Sequence, residues 1–253
     1  MIAVIGSFAQ IEYRALVRAK FPFVWFVLLP AVSSAILGPA VAGLSQAGAT
    51  GRVTVGFGVM FSYMTVNYVG RALYREFDSH TWRRTATAAP RKVAYLLGKC
   101  LPVLTIGIGQ LTVFAVFAVT VLDLPLRAGA WTGTAQLVLV LVPFTITGVA
   151  TGALLYTMIR RAELFFSLTY LILMVLGALG GAIVASPQLP EWSQTAGYAT
   201  PHYWAMRAVD EATLGAGRWS VVLESSALLV LFGGVFTAVA VARLDPRKER
   251  YSI

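Results

Sequence analysis

Six stretches of this chain, 21–51, 53–70, 100–122, 128–159, 164–190 and 225–242, run for at least 18 residues without one Asp, Glu, Lys or Arg. A helix of about 20 apolar residues spans the hydrocarbon of a bilayer, so each stretch is long enough to cross once. Inside lipid the backbone must satisfy its own hydrogen bonds, and runs of this length without strand-like alternation do so as helices, not as barrel strands. The expectation is an all-α polytopic membrane protein with six transmembrane helices, near 22–44, 53–72, 100–122, 131–157, 164–185 and 220–242. Composition agrees: 58% of residues are apolar and 12% charged, whereas about a quarter of a soluble domain is charged. With no repeat, linker or low-complexity stretch, residues 1–253 read as a single domain. The second stretch is the most polar, through Ser62, Thr65 and Asn67, and Gly56, Gly58 and Gly70 loosen it as a helix. Removing it would invert every later segment.

Charge supports the count. Lys and Arg in short loops stay on the cytoplasmic side. With six spans and both termini inside, the inner segments hold Arg14, Arg18 and Lys20, then Arg71, Arg75, Arg83, Arg84, Arg91, Lys92 and Lys99, then Arg160 and Arg161, and finally Arg243, Arg247, Lys248 and Arg250. That is 16 of the 20 basic residues. The outer segments keep Arg52, Arg127, Arg207 and Arg218, beside Asp123, Glu191, Asp210 and Glu211. Basic inner loops facing anionic lipid account for the net charge of +9 without nucleic acid as a partner. Cys100 is the lone cysteine and forms no internal disulfide. Residues 1–10 lack the basic flank of a cleaved signal peptide, which leaves the first span as the insertion signal.

Three segments outside the spans have a readable pattern. Phe8, Ile11, Ala15, Leu16 and Ala19 recur at helical spacing while Gln10, Arg14, Arg18 and Lys20 fall on the other side, as in an amphipathic helix lying on the inner leaflet. The inner connection 71–99 contains Asp78 and Ser79, either of which can cap a helix that Pro90 stops, giving a rod of about three turns that carries Trp82, Arg83 and Arg84. On this pattern the rod either docks another protein or only fixes topology. Between the last two spans, Thr200 and Pro201 read as a helix cap and first position, and Arg207 can pair with Asp210 or Glu211. Two short helices broken near Pro201 are expected there, forming an outer hairpin with its aromatics at headgroup level or dipping back into the bilayer.

The inventory excludes several chemistries. The only Gly-Lys pair, Gly98-Lys99, is followed by Cys100 and lacks the earlier glycine of a phosphate loop, so the chain does not hydrolyse ATP in that way. One cysteine and two separated histidines, His80 and His202, make no zinc site. No clustered aspartates mark a magnesium-dependent transferase. The six runs also lack the ionisable groups that couple ion flow to transport. Within them, Gly148 with Gly152 and Gly177 with Gly181 allow close helix approach, inside one subunit or at a dimer seam. Ser33, Ser34, Tyr63, Asn67 and Tyr170 either line a substrate path or bond to neighbouring helices.

Two motifs carry a family resemblance. The inner loop reads Glu76 and Asp78, His80-Thr81-Trp82, Arg83-Arg84, Pro90 and Leu97-Gly98-Lys99; the last outer segment reads Leu189-Pro190-Glu191-Trp192 and Thr200-Pro201-His202-Tyr203-Trp204-Ala205-Met206. Together they resemble the ABC-2 family of exporter permeases, whose loop has an acidic pair, Gly-Thr, a bulky apolar residue, a basic residue, Pro and Gly-Lys. His80 stands at the glycine, and Pro90 is displaced by about one residue. The resemblance runs end to end. It implies a permease of an ATP-binding cassette exporter that works as a dimer, with a second copy or a paralogous permease, in the cytoplasmic membrane of a bacterium. It further implies two copies of a separate ATPase, which bind ATP and magnesium, while this chain binds no cofactor. Asp78, His80, Thr81, Trp82, Arg83 and Arg84 would form the helix seated on that ATPase, with Trp82 as anchor. The implied cargo is a hydrophobic or amphipathic compound such as an antibiotic; a lipid or lipid-linked glycan, or an ATP-independent carrier, are the alternatives.

Overall fold

The computed structural model of the chain describes residues 2–18, 49–88, 91–121 and 129–244, with isolated positions at 28, 32, 33, 35, 36, 124 and 126. Ten α-helices form among them: α1 Ile2–Arg18, α2 Ala49–Ser62, α3 Thr65–Asp78, α4 Trp82–Ala88, α5 Lys92–Thr120, α6 Ala130–Met158, α7 Ala162–Leu179, α8 Glu191–Gly197, α9 Pro201–Thr213 and α10 Trp219–Arg243. No strand appears among the described residues. Four helices, α5, α6, α7 and α10, are long and apolar enough to cross a membrane, and they fall where the last four spans are expected. The first expected span, 22–44, lies outside the described residues apart from positions 28, 32, 33, 35 and 36.

The second expected span takes the form of two consecutive 14-residue helices, α2 and α3. The chain does not open between them; it tightens. Tyr63, Met64, Val66 and Asn67 each donate their backbone N–H to the carbonyl three residues back, at 2.9–3.3 Å. This is the 3₁₀ pattern. Its cause is local, since Ser62 Oγ donates to Val59 O at 2.7 Å and such back-bonding disturbs an α-helix.

Helix α6 is the centre of the bundle. Two-thirds of its apolar window is buried (67%), against 33% or less for α5, α7 and α10, because α10, α3, α9 and α5 all pack along it. The small residues placed on it by the sequence explain the close fit. A methyl at Gly148 would meet Thr65 Oγ1 at 2.7 Å and one at Gly152 would meet Val69 Cβ at 2.8 Å, so this glycine pair seats α3 of the same chain. Gly177 likewise faces Met60 of α2. Thr147 Oγ1 bonds to Leu229 O at 2.8 Å and ties α6 to α10 through a buried polar contact. Outward faces remain apolar: Val113, Val116, Leu171, Met174, Val230 and Leu231 are all about half exposed, a surface that lipid or another apolar chain must cover.

Helix α1 forms as expected and turns Phe8, Ala15 and Leu16 of the expected face inward, with one exchange. Glu12 is buried beside Leu16 while Ile11 is 59% exposed, because Glu12 has cationic partners in the buried Lys99 of α5 and the partly exposed Arg75 of α3. Gly98 permits the approach: a methyl there would sit 2.5 Å from Phe8 Cβ and 3.1 Å from Ile5 O.

Candidate functional site

The loop singled out by the sequence is built at the end of α3. Asp78 is the last residue of that helix and does not cap the next one. Ser79 Oγ donates back to Arg75 O at 2.8 Å, and the amides of Arg84 and Thr85 donate to Thr81 O at 3.0 and 3.3 Å. The rod is therefore seven residues, about two turns, starting at Trp82; the expected cap at Asp78 or Ser79 and the expected length are both corrected. Its stop at Pro90 falls outside the described residues. His80 makes the turn with φ +53°, a left-handed conformation in which a β-carbon crowds the following carbonyl. This is the position at which the resembled pattern has glycine. His80→Gly is expected to stabilise the protein by about 1 kcal/mol, read as a higher melting temperature of the detergent-solubilised chain. An unchanged or lower value would show that the histidine ring compensates the strain.

Trp82 is half-buried, stacked on Phe77 with ring centroids 5.9 Å apart and 19° between planes. The Arg83 guanidinium lies 5.7 Å from the Trp82 ring centre, within cation–π range. Asp78, His80, Thr81, Arg83 and Arg84 are exposed around it. Trp82 is thus fastened to α3 on one side and available on the other, and the helix presents a basic surface.

Beneath this helix lies a charged cluster that sequence reasoning did not assemble. Lys99 Nζ on α5 reaches Glu12 Oε1 of α1 at 2.7 Å and Glu76 Oε1 of α3 at 2.8 Å. Arg75 Nη1 is 3.0 Å from Glu12 Oε2, and Tyr95 donates its hydroxyl to Glu76 Oε2 at 3.3 Å. The side chains of Glu12, Lys99 and Glu76 are only 1%, 4% and 9% exposed. Phe8 meets Tyr95 edge to face at 5.5 Å, and the Lys99 ammonium lies 5.8 Å from the Phe8 ring, so aromatics close the cluster from water. Three helices, α1, α3 and α5, are thereby joined within a turn of the loop helix. The sequence signal was there: Glu12 is the only acidic residue before Glu76.

At the opposite end of the bundle, α8 and α9 form the two short helices expected near Pro201. Thr200 Oγ1 accepts the Tyr203 amide at 3.3 Å, as a cap should. The expected pairing of Arg207 with Asp210 or Glu211 is replaced. Arg207 reaches Glu224 at 2.9 Å, Asp210 bonds to Arg52 at 3.0 Å, and Glu211 takes Arg218 through two side-chain bonds of 3.0 Å. A pairing along α9 gives way to bonds that tie it to α2 and to α10 and its lead-in. The Arg218 bonds hold the Glu211 carboxyl below the usual carboxylate range, whereas burial pushes Asp210 up against the opposing pull of Arg52.

The path residues are distributed. Tyr63 and Asn67 are buried at the α2–α3 junction, where the Tyr63 hydroxyl shares a 2.6 Å bond with Thr151 and its ring lies 4.5 Å from His202. Tyr170 is 48% exposed on α7. Ser33 is half-buried at an isolated helical position, and Ser34 lies outside the described residues.

A bundle with four membrane-length apolar helices, and a short basic helix at the end that carries a buried charge cluster, is the architecture of an integral membrane protein. Residues 40–242 match the model of the ABC-2 family transporter proteins, and the chain belongs to that family, as a transmembrane subunit of an ABC transporter and not the ATPase itself. A comparison with curated proteins returns no match.

Proposed function

We propose that the chain is the permease of an exporter that moves a hydrophobic or amphipathic compound out of the cytoplasm or the inner leaflet of a bacterial cytoplasmic membrane. ATP and magnesium are bound by two copies of a partner ATPase, which dock at Trp82, Arg83 and Arg84, and a second permease copy or a paralogue completes the path. The loop-helix end and both termini face the cytoplasm. The observation that carries this reading is the loop helix itself: an exposed basic element whose Trp82 is stacked on the last turn of α3, one residue beyond the buried Glu76–Lys99–Glu12 cluster. Displacement of such an element is passed to rigid helices and not absorbed in a slack loop.

The test is co-purification with the ATPase. Arg84→Glu is expected to leave the permease inserted and folded but to weaken capture of the ATPase about tenfold, the effect of reversing one charge at a docking contact. Trp82→Ala should do the same. Full retention of the ATPase by both variants sinks the docking assignment. Flux in reconstituted vesicles that ignores ATP and follows a proton gradient sinks the exporter reading.

A further inference from the structure

Between α2, α8, α9 and the start of α10, at the end of the bundle remote from the loop helix, lies a cavity of about 540 Å³. Arg52, Arg207 and Arg218 enter its wall from three different segments. Each guanidinium is only partly engaged. Asp210 takes Nε and Nη2 of Arg52, Glu224 takes Nη2 of Arg207, and Glu211 takes Nε and Nη2 of Arg218. Nη1 of all three has no partner among the described residues. The acidic neighbours fix the three cations in place and leave Nη1 of each as a donor. The rest of the wall is amphipathic, and includes Tyr198 and Tyr203 together with the apolar Met206, Leu214 and Val221.

The depth of this cavity in the bilayer can be read from the aromatics. Trp131 at the start of α6, Trp192 on α8, Tyr198 and Trp219 at the start of α10 all lie at this end, 92%, 70%, 52% and 43% exposed. The Gln136 amide, donating to Gly217 O at 2.7 Å, confirms that the starts of α6 and α10 are level. Exposed Trp and Tyr collect at the headgroup layer of a membrane protein. A cavity at that level meets phosphate more than any other anion.

We infer that this cavity is a binding site for a phosphate headgroup, with the three arginine Nη1 groups as donors and the Met206, Leu214 and Val221 wall taking the first carbons of an attached apolar tail. Guanidinium recognises phosphate oxygens through paired N–H groups, which an ammonium cannot reproduce. The volume suits a headgroup and its glycerol, not a whole lipid. The inference needs the chain to sit in a membrane but does not depend on the exporter reading.

The experiment is calorimetric titration of the full-length protein in a neutral detergent with three probes: dihexanoyl phosphatidic acid, dihexanoylglycerol and inorganic phosphate. Saturable binding of the phosphatidic acid is expected, at least about tenfold tighter than the phosphate-free glyceride, corresponding to one charge-assisted contact. Arg207→Gln, whose pair with Glu224 is on the surface, should weaken it about tenfold while the protein melts as before. Arg218→Lys, which keeps the charge over Glu211 but loses the fork, should also weaken it. Inorganic phosphate binding as tightly as the lipid upholds the anion site and assigns free phosphate as its source; weaker binding assigns the lipid. No saturable binding of either phosphate probe, or equal affinity in both arginine variants, overturns the proposal.

Discussion

Lys99→Met is expected to cost about 3–5 kcal/mol of stability, because it leaves Glu12 and Glu76 in a site closed to water with their shared cation gone. Arg75, at the edge of the cluster and a third exposed, compensates only one of the two carboxylates. The same chain carrying Glu12→Gln and Glu76→Gln as well should recover most of the loss, since removing every charge of a buried set is far less costly than removing one. Thermal melting in detergent, followed by the fraction of monodisperse protein, reads both results. A single Lys99→Met variant that melts like the parent would mean that water reaches the cluster and that α1 is not fastened there.

Gly56→Ala is expected to be at least as damaging, for a steric reason. A methyl at Gly56 would overlap the carbonyl oxygen of Ala182, and a backbone atom in the segment just after α7 has no rotamer by which to move aside. The helix α2 would have to shift as a body, breaking the Arg52 bonds to Gly181 O and Asp210 one turn away. A loss of about 3 kcal/mol or more is expected, at the upper end for overpacking. Gly109 and Gly234 supply the controls: a methyl at either meets nothing within 4 Å, so alanine there should be neutral or stabilising by helix propensity alone. If Gly56→Ala and Gly109→Ala melt alike, the tight crossing of α2 past the α7 corner is not present in the membrane.

The glycines also show what was legible in the sequence and what was not. Read along the chain, Gly56, Gly58 and Gly70 are weaknesses in a helix; read in space, each is a contact with α7, α5 or the segment after α7. Propensity is a local quantity, and the contact that outweighs it is between residues far apart in sequence. The four long helices were legible because apolar length is itself the requirement of the bilayer. Thr200 and Pro201 were legible because a cap bonds within three residues. Glu12 and Lys99 were not, since their bond spans 87 positions and neither has an ion-pair partner on its own helix. Arg207 failed for the same reason: residues at helical spacing were available, yet the partners chosen were on other segments.

The seating of α3 on Gly148 and Gly152 reaches beyond this chain. Those two positions are places of close approach on α6, and they are already filled from within. A neighbouring copy that meets this one along α7 would find Leu164, Tyr170, Leu171, Met174 and Val175, bulky apolar side chains around the small Ser167. Such a seam adapts by rotamer exchange, so it should tolerate swaps of equal volume and respond sharply to lost or added bulk.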